Sequence, residues 1–339
     1  MTDISRYDRQ WRLKEIGKEG QAHILAGTAA VIGLGALGSV SASLLARAGV
    51  GRLLLIDRDF PELSNLQRQT LYDEKDVERR LPKAVIAREK LALVNSGIHI
   101  EAFSADVNGV TAGELLAGVD VIVDGTDNYE TRYLLNDFSL KHNIPWVYGG
   151  VIRTEGTVYT VLPGTGPCLR CLFLEAPAPE EAETCDRSGV LAMAAHVTAS
   201  VQAAEALKIL AGKTDQVSRE LLKFDVWRGH WKTLSVSGLP ACASCRGEYA
   251  YLEAEAALQT VKMCGRNAVQ IYYSESRPVD FQTLAGKLAG QVAVEYNDYV
   301  MSIRSDPFEI MLFANGRAIV KGTEDAGQAK SLYARFVGA

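Results

Sequence analysis

Short unbroken apolar runs alternate with longer amphipathic stretches through the first half of the chain. AAVIG at 29–33 predicts a buried strand, LGALGSVSASLLARAG carries helical periodicity, and RLLLID at 52–57 predicts a second strand, which makes a βαβ unit. The alternation continues. Pro82 suits the first turn of a helix through KAVIAREKLALVN, HIEAFSAD predicts a strand, and VDVIVDGTD at 119–127 predicts another buried one. The implied α/β fold is Rossmann-like, with a mostly parallel sheet and helices on both faces.

IPWVYGGVIRTEGTVYTVLPG has the β-rich pattern of a chain turning to antiparallel strands. VLAMAAHVTASVQAAEALKILAG predicts a long, largely buried helix ended by Gly212. Beyond PACASCRGE the pattern changes to AVQIYY, VDFQTLAGKLAG, QVAVEYNDYVMSIRS and FEIMLFANGRAIVKGT, the last with a hairpin turn at Asn315-Gly316, and then a closing helix. We therefore expect a main domain over 1–248 and a small α+β domain over 249–339.

Composition narrows the function classes. A formal charge of −5 argues against a nucleic-acid surface, so local Arg and Lys clusters stand out as phosphate candidates. No stretch approaches the roughly 18 apolar residues of a membrane helix, and no signal-peptide pattern opens the chain, so a cytoplasmic protein is expected. In that compartment the six cysteines read as metal ligands or reactive thiols.

Gly33, Gly35 and Gly38 form GxGxxG between a strand and a helix, where backbone N–H groups can approach a phosphate. Asp57, closing the second strand, stands where a carboxylate bonds a ribose hydroxyl. The motif alone does not separate a dinucleotide from ATP. Asn65, Arg68 and Gln69 on one segment, with Lys83 opening the next helix, are donors suited to a triphosphate, although a solvated charged face would also account for Arg68 or Lys83 singly. Asp127 follows a buried strand at the sheet edge and is a magnesium candidate, Asp124 reads as structural, and Asn128 is a helix cap candidate.

Cys168 and Cys171 pair with Cys242 and Cys245 as two CxxC units, the composition of a closed structural zinc site. Cys185 is left on the polar, Pro-rich stretch between them, beside Arg187 and ahead of a helix. Such surroundings favour a thiolate, against the alternative of an incidental loop cysteine. Cys264 reads as inert and His196 as a satisfied core residue.

RYDRQ, GLGALGS, LLLIDRDFPELSNLQRQ, LPKA, DGTDNYETR, the two CxxC pairs, TCDRSGVL and the Q-A-x-E-A-x-K helix together resemble the ThiF/MoeB/HesA family, over residues 5 to 246. The resemblance implies adenylation, with MgATP, of the C-terminal glycine of a ubiquitin-like sulfur carrier protein. It adds Asp59 at the ribose or metal end, and Arg9 as a residue reaching the ATP of the other subunit of a homodimer. It also makes Cys185 the thiol that can hold the activated carrier, and a cysteine desulfurase a further partner. The cysteine-free last 75 residues exclude a rhodanese tail and resemble the longer ThiF proteins of thiazole synthesis. Activation of a ThiS-like carrier is thus expected, with a MoeB-type role, an NAD-dependent oxidoreductase and a non-catalytic zinc scaffold as the alternatives.

Overall fold

The computed structural model describes residues 4–174, 188–253, 259–263, 267–272 and 278–338. Two compact units divide the chain, Met1–Ala254 and Glu255–Ala339. The first carries β1 (Thr28–Ile32), β2 (Arg52–Ile56), β3 (His99–Phe103), β4 (Val121–Asp124), β5 (Trp146–Ile152), β6 (Glu155–Val161), β7 (Glu220–Asp225) and β8 (His230–Ser235). These form one sheet in the order β3-β2-β1-β4-β5-β6-β7-β8. Pairing is parallel from β3 through β5 and antiparallel from there on, as the sequence pattern predicts.

Strand alternation distributes β1 between two cores. Ala29 and Val31 pack with residues of α2 (Gly38–Ala48), α3 (Lys83–Val94) and α5 (Ala192–Leu210), and α1 (Gly17–Ala26) adds Ile24 to the same layer. Ala30 and Ile32 pack on the opposite face with Leu134, Leu135 and Phe138 of α4 (Tyr129–His142). Burial on both sides is why β1 reads as a continuous apolar run.

Small residues bring α5 onto the sheet. A Cβ on Gly149 would lie 2.4 Å from Gln202 Nε2, and one on Gly156 would meet Thr198 Oγ1 at 2.4 Å. The N-terminal segment is anchored where α2 and α3 end. Tyr7 is 3 % exposed with its ring over Gly49, and its hydroxyl accepts from Asn95 Nδ2 at 2.8 Å. Gln10 donates to the Ala48 carbonyl at 2.9 Å and Arg6 to that of Val94 at 2.8 Å.

The second unit is a six-stranded antiparallel sheet with two helices. Its strands β9 (Gln259–Met263), β10 (Ala268–Tyr272), β11 (Ala293–Tyr296), β12 (Val300–Ser305), β13 (Phe308–Phe313) and β14 (Ala318–Lys321) run β11-β12-β13-β14-β10-β9. Residues from α6 (Phe281–Leu288) and α7 (Ala326–Phe336) join Val269, Met301, Ile310 and Val320 in its core. Asn315-Gly316 makes the expected hairpin, with Gly316 at φ +86° and the Phe313 N–H bonded to the Arg317 carbonyl at 2.8 Å. Among the described residues no helix is long and apolar enough to cross a membrane.

Candidate functional site

The three fingerprint glycines do different jobs. A Cβ on Gly38 would stand 1.7 Å from the Gly33 carbonyl oxygen, and one on Gly33 would meet the Gly125 oxygen at 2.7 Å. Both positions are backbone-to-backbone contacts that exclude any side chain. Gly35 differs: the nearest atom to its added Cβ is Gln69 Nε2, at 3.6 Å. Its missing side chain leaves room where a ligand can approach the loop.

Asp57, at the end of β2, closes over this loop. Its Oδ2 accepts the Leu34 N–H and its Oδ1 the Asp59 N–H, each at 2.6 Å. Burial pushes the Asp57 carboxyl above its ordinary pKa, with the Lys83 ammonium opposing. Lys83 does not lie on a solvated face. It is 3 % exposed, with its N–H bonded to the Asp59 carbonyl at 2.8 Å. Tyr72 braces the same corner by donating to the Leu34 carbonyl at 3.0 Å.

Asn65 and Gln69 are buried, and Gln69 Oε1 has no hydrogen-bond partner, an unusual state for a buried amide. Arg68 is half-buried and donates to the Ser64 carbonyl at 2.9 Å. Arg58 sits among the carboxylates. Its Nη1 lies 3.2 Å from both oxygens of Asp106, and Asp59, Asp127 and Asp57 are close enough to hold its charge in place. The acidic groups of the β2 and β4 loops therefore surround one region.

The loop that presents Asp127 is clamped from below. Asp124 is fully buried and its Oδ1 accepts both the N–H and the hydroxyl of Thr126, at 2.8 and 2.7 Å. Arg132 Nε lies 3.4 Å from Asp124 Oδ2, while Arg132 Nη2 donates to the Thr126 carbonyl at 2.6 Å. From α5, Gln202 Nε2 donates to the carbonyls of Asp124 and Val147, at 2.7 and 3.1 Å. Asn128 caps α4 by accepting the Thr131 N–H at 2.8 Å. Asp127 itself is exposed and accepts no hydrogen bond among the described residues, so its carboxylate fits a divalent cation's ligand.

Asp124 is structural, as its strand position implies. Arg132 and Gln202 carry this clamp; Gln202 is a polar side chain inside an apolar helix, whereas Arg132 stands in a largely polar one. His196 departs from its expectation, because its Nε2 is buried with no partner. Arg9 is separated from the nucleotide residues. Its segment is anchored at the far end of α2, about 15 Å along the helix from Gly38. Its side chain is 89 % exposed, with Asp8 at 3.4 Å.

The four CxxC sulfurs converge. Cys168 Sγ lies 3.9 Å from Cys171 Sγ and 3.6 Å from Cys242 Sγ, and Cys171 Sγ lies 3.7 Å from Cys245 Sγ. All four fall within 4.8 Å of one another. Tetrahedral zinc with bonds of about 2.3 Å separates its sulfurs by about 3.8 Å, so the donor set fits that ion. Burial and the neighbouring thiols push Cys245 up to about 11, a state relieved by a cation. Helix α4 positions both arms: Asn136 accepts the Leu169 N–H at 2.8 Å, and Asp137 accepts the Ser244 hydroxyl at 2.5 Å. Cys185 and Cys264 lie outside the described residues.

Comparison with known proteins agrees with this architecture. The chain is 40 % identical over 338 residues to a sulfur carrier protein ThiS adenylyltransferase of Bacillus subtilis (strain 168), covering 98 % of this chain and 99 % of the relative. It is 36 % identical over 251 residues to a sulfur carrier protein adenylyltransferase of Thermus thermophilus, covering 73 % and 92 %. The crystal structure of E. coli MccB with ATP shares the fold at a TM-score of 0.62 and 20 % identity, covering 72 % of this chain and 74 % of that one. The ThiF family profile matches residues 7–246, and the chain belongs to the ThiF family.

Proposed function

We propose that this chain adenylates the C-terminal glycine carboxylate of a ThiS-like sulfur carrier protein in the cytoplasm, using MgATP and releasing pyrophosphate. The observation that carries the reading is the set of groups around Gly35. A buried Lys83 and a ribose-type carboxylate at Asp57 flank the open loop, Gln69 keeps an unused acceptor beside it, and Asp127 stands unbonded at its mouth.

In the reaction a carboxylate oxygen of the carrier attacks the α-phosphorus, the bond to the β-phosphate oxygen breaks, and charge collects on the departing pyrophosphate. Lys83 and Arg68 neutralise that charge, and the fingerprint N–H groups hold the phosphates in line. Asp127, with Asp59, would hold the magnesium, which would supply further charge neutralisation. Arg9 lies too far along α2 to serve its own site, which supports service to the partner's site in a homodimer.

The second unit favours a ThiS-type over a MoeB-type carrier. The Bacillus relative aligns over 98 % of the chain, whereas the Thermus relative covers 73 %. Cys185 is the proposed thiol for a covalent carrier adduct, with a cysteine desulfurase as sulfur source. An open cavity of about 460 Å³ lined by Arg153, Glu155, Leu191, Trp227 and Arg228 offers the carrier a place beside the strands' ends.

Carrier-dependent exchange between ATP and labelled pyrophosphate tests the reading. Arg68→Ala and Asp127→Ala should abolish exchange, and Cys185→Ala should keep it while losing any covalent adduct. Tight NADH binding without ATP binding would overturn the proposal.

A further inference from the structure

The sheet order fixes where a nucleotide bound as proposed must put its base. Along the carboxyl edge the strands run β3, β2, β1, β4. Phosphates at the Gly33–Gly38 loop and a ribose at Asp57 step the molecule from β1 to β2. The base therefore continues outward over the ends of β2 and β3. Two charged side chains meet there. Arg58 follows Asp57 directly, and Asp106 lies just beyond the end of β3.

These two are bonded to each other. Arg58 Nη1 stands 3.2 Å from both Asp106 oxygens, which fixes the guanidinium before any ligand arrives. The Arg58 side chain is 24 % exposed, so the residue borders solvent at the sheet edge. At the same strand end the buried Ser104 Oγ has no hydrogen-bond partner, an acceptor and donor unused within the protein. A guanidinium fixed along one edge is suited to lie flat against an aromatic ring.

We propose that Arg58, held by Asp106, is the base-contact residue of the nucleotide site and stacks on the purine. This deepens the adenylation reading and rests on it. The contact accounts for a cation placed among Asp57, Asp59 and Asp127, where a second phosphate ligand would compete with magnesium. Stacking draws on the flat face of the guanidinium and leaves the acidic ligands to the metal.

A base contact and a phosphate contact differ in what they do to a ligand without a base. The test measures binding of ATP and of inorganic tripolyphosphate, each with magnesium, to the full chain and to Arg58→Ala, Arg58→Lys and Arg58→Phe. For stacking, Arg58→Ala weakens ATP by about 3- to 30-fold and leaves tripolyphosphate unchanged. Arg58→Lys keeps the charge yet stays weak for ATP, and Arg58→Phe restores most of the affinity. Equal losses for both ligands, or full rescue by lysine, would overturn the proposal in favour of a charge contact. Unchanged ATP binding in Arg58→Ala would overturn it outright. Absence of ATP binding by the unaltered chain would sink the adenylation reading instead. Thermal melting of each nucleotide-free variant separates these outcomes from misfolding.

Discussion

Arg132 Nε and Asp124 Oδ2 stand 3.4 Å apart with both side chains nearly out of solvent, and each also bonds Thr126. The pair thereby fixes the backbone one residue before Asp127. Removing one partner strands a buried charge, so Arg132→Met should cost about 3–5 kcal/mol. Replacing both, as Asp124→Asn with Arg132→Met, should recover part of that loss. Denaturant titration of the two single variants and the double variant measures the coupling.

The glycines of the fingerprint separate stability from binding. At Gly38 an added Cβ meets a fixed backbone oxygen at 1.7 Å, so Gly38→Ala should lower Tm or prevent folding. At Gly35 it meets only a side-chain amide at 3.6 Å, so Gly35→Ala should fold normally. The same methyl would stand where a phosphate approaches. ATP affinity should therefore fall in Gly35→Ala without a matching change in Tm, as calorimetry and melting would register.

Much of this site was legible in the sequence because backbone geometry writes a local signature. The glycine spacing, the apolar runs of β1 and β2, and the paired cysteines each follow from a short-range rule. Lys83 was not legible as a buried residue, since a lysine opening a helix looks the same whether solvated or enclosed by β2. Arg132 and Gln202 stand within recognisable motifs, yet their contacts are not written there, for a related reason. Gln202 bonds backbone carbonyls of β4 and β5, and Arg132 bonds the Thr126 carbonyl; a carbonyl has no letter in a sequence. The docking of RYDRQ under Gly49 needs α2 and α3 to end together, which only the tertiary structure supplies.

Asp57 gives the site a pH dependence of definite sign. Its folded pKa lies above the unfolded value because burial disfavours the carboxylate. The fold therefore binds the proton more readily than the unfolded chain, and this group's contribution to stability declines as pH rises from the unfolded to the folded pKa. Above that window the penalty is complete. Asp57→Asn removes the titrating group, so the decline of Tm across that window should vanish, while its amide NH2 faces one of the two backbone N–H groups the carboxylate accepts and lowers Tm at every pH. The same variant should bind ATP more weakly, since an amide is a poorer acceptor for ribose hydroxyls. In the unaltered chain ATP affinity should decline on acidification above the usual aspartate range. An Asp57→Asn variant that keeps the decline of Tm with pH and binds ATP equally well would contradict both halves.

The sulfur geometry predicts one zinc per chain, measurable by elemental analysis of the purified protein. Cys168 is wholly buried and Cys245 is exposed, yet both belong to the same four-sulfur cluster. Cys168→Ser and Cys245→Ser should each lose zinc and melt lower. Cys185→Ala should keep its zinc, because the four donors already close the coordination sphere.

The anchoring of Tyr7 and Gln10 at the far end of α2 makes the placement of Arg9 a question of which chain it serves. If Arg9 reaches the partner's nucleotide, each site needs its own Arg68 and the other chain's Arg9. Arg9→Ala and Arg68→Ala should then be inactive separately in the exchange assay. Unfolded together in equal amounts and refolded, half of the dimers pair the two variants, and in each such dimer one site has both arginines. Exchange should recover to about a quarter of the unaltered level. Recovery requires subunit mixing, so co-expression with two different affinity tags supplies the pure mixed dimer, where the expected level is about one half. No recovery in that mixed dimer would mean that Arg9 does not act across the interface, and the exposed arginine would then belong to some other surface.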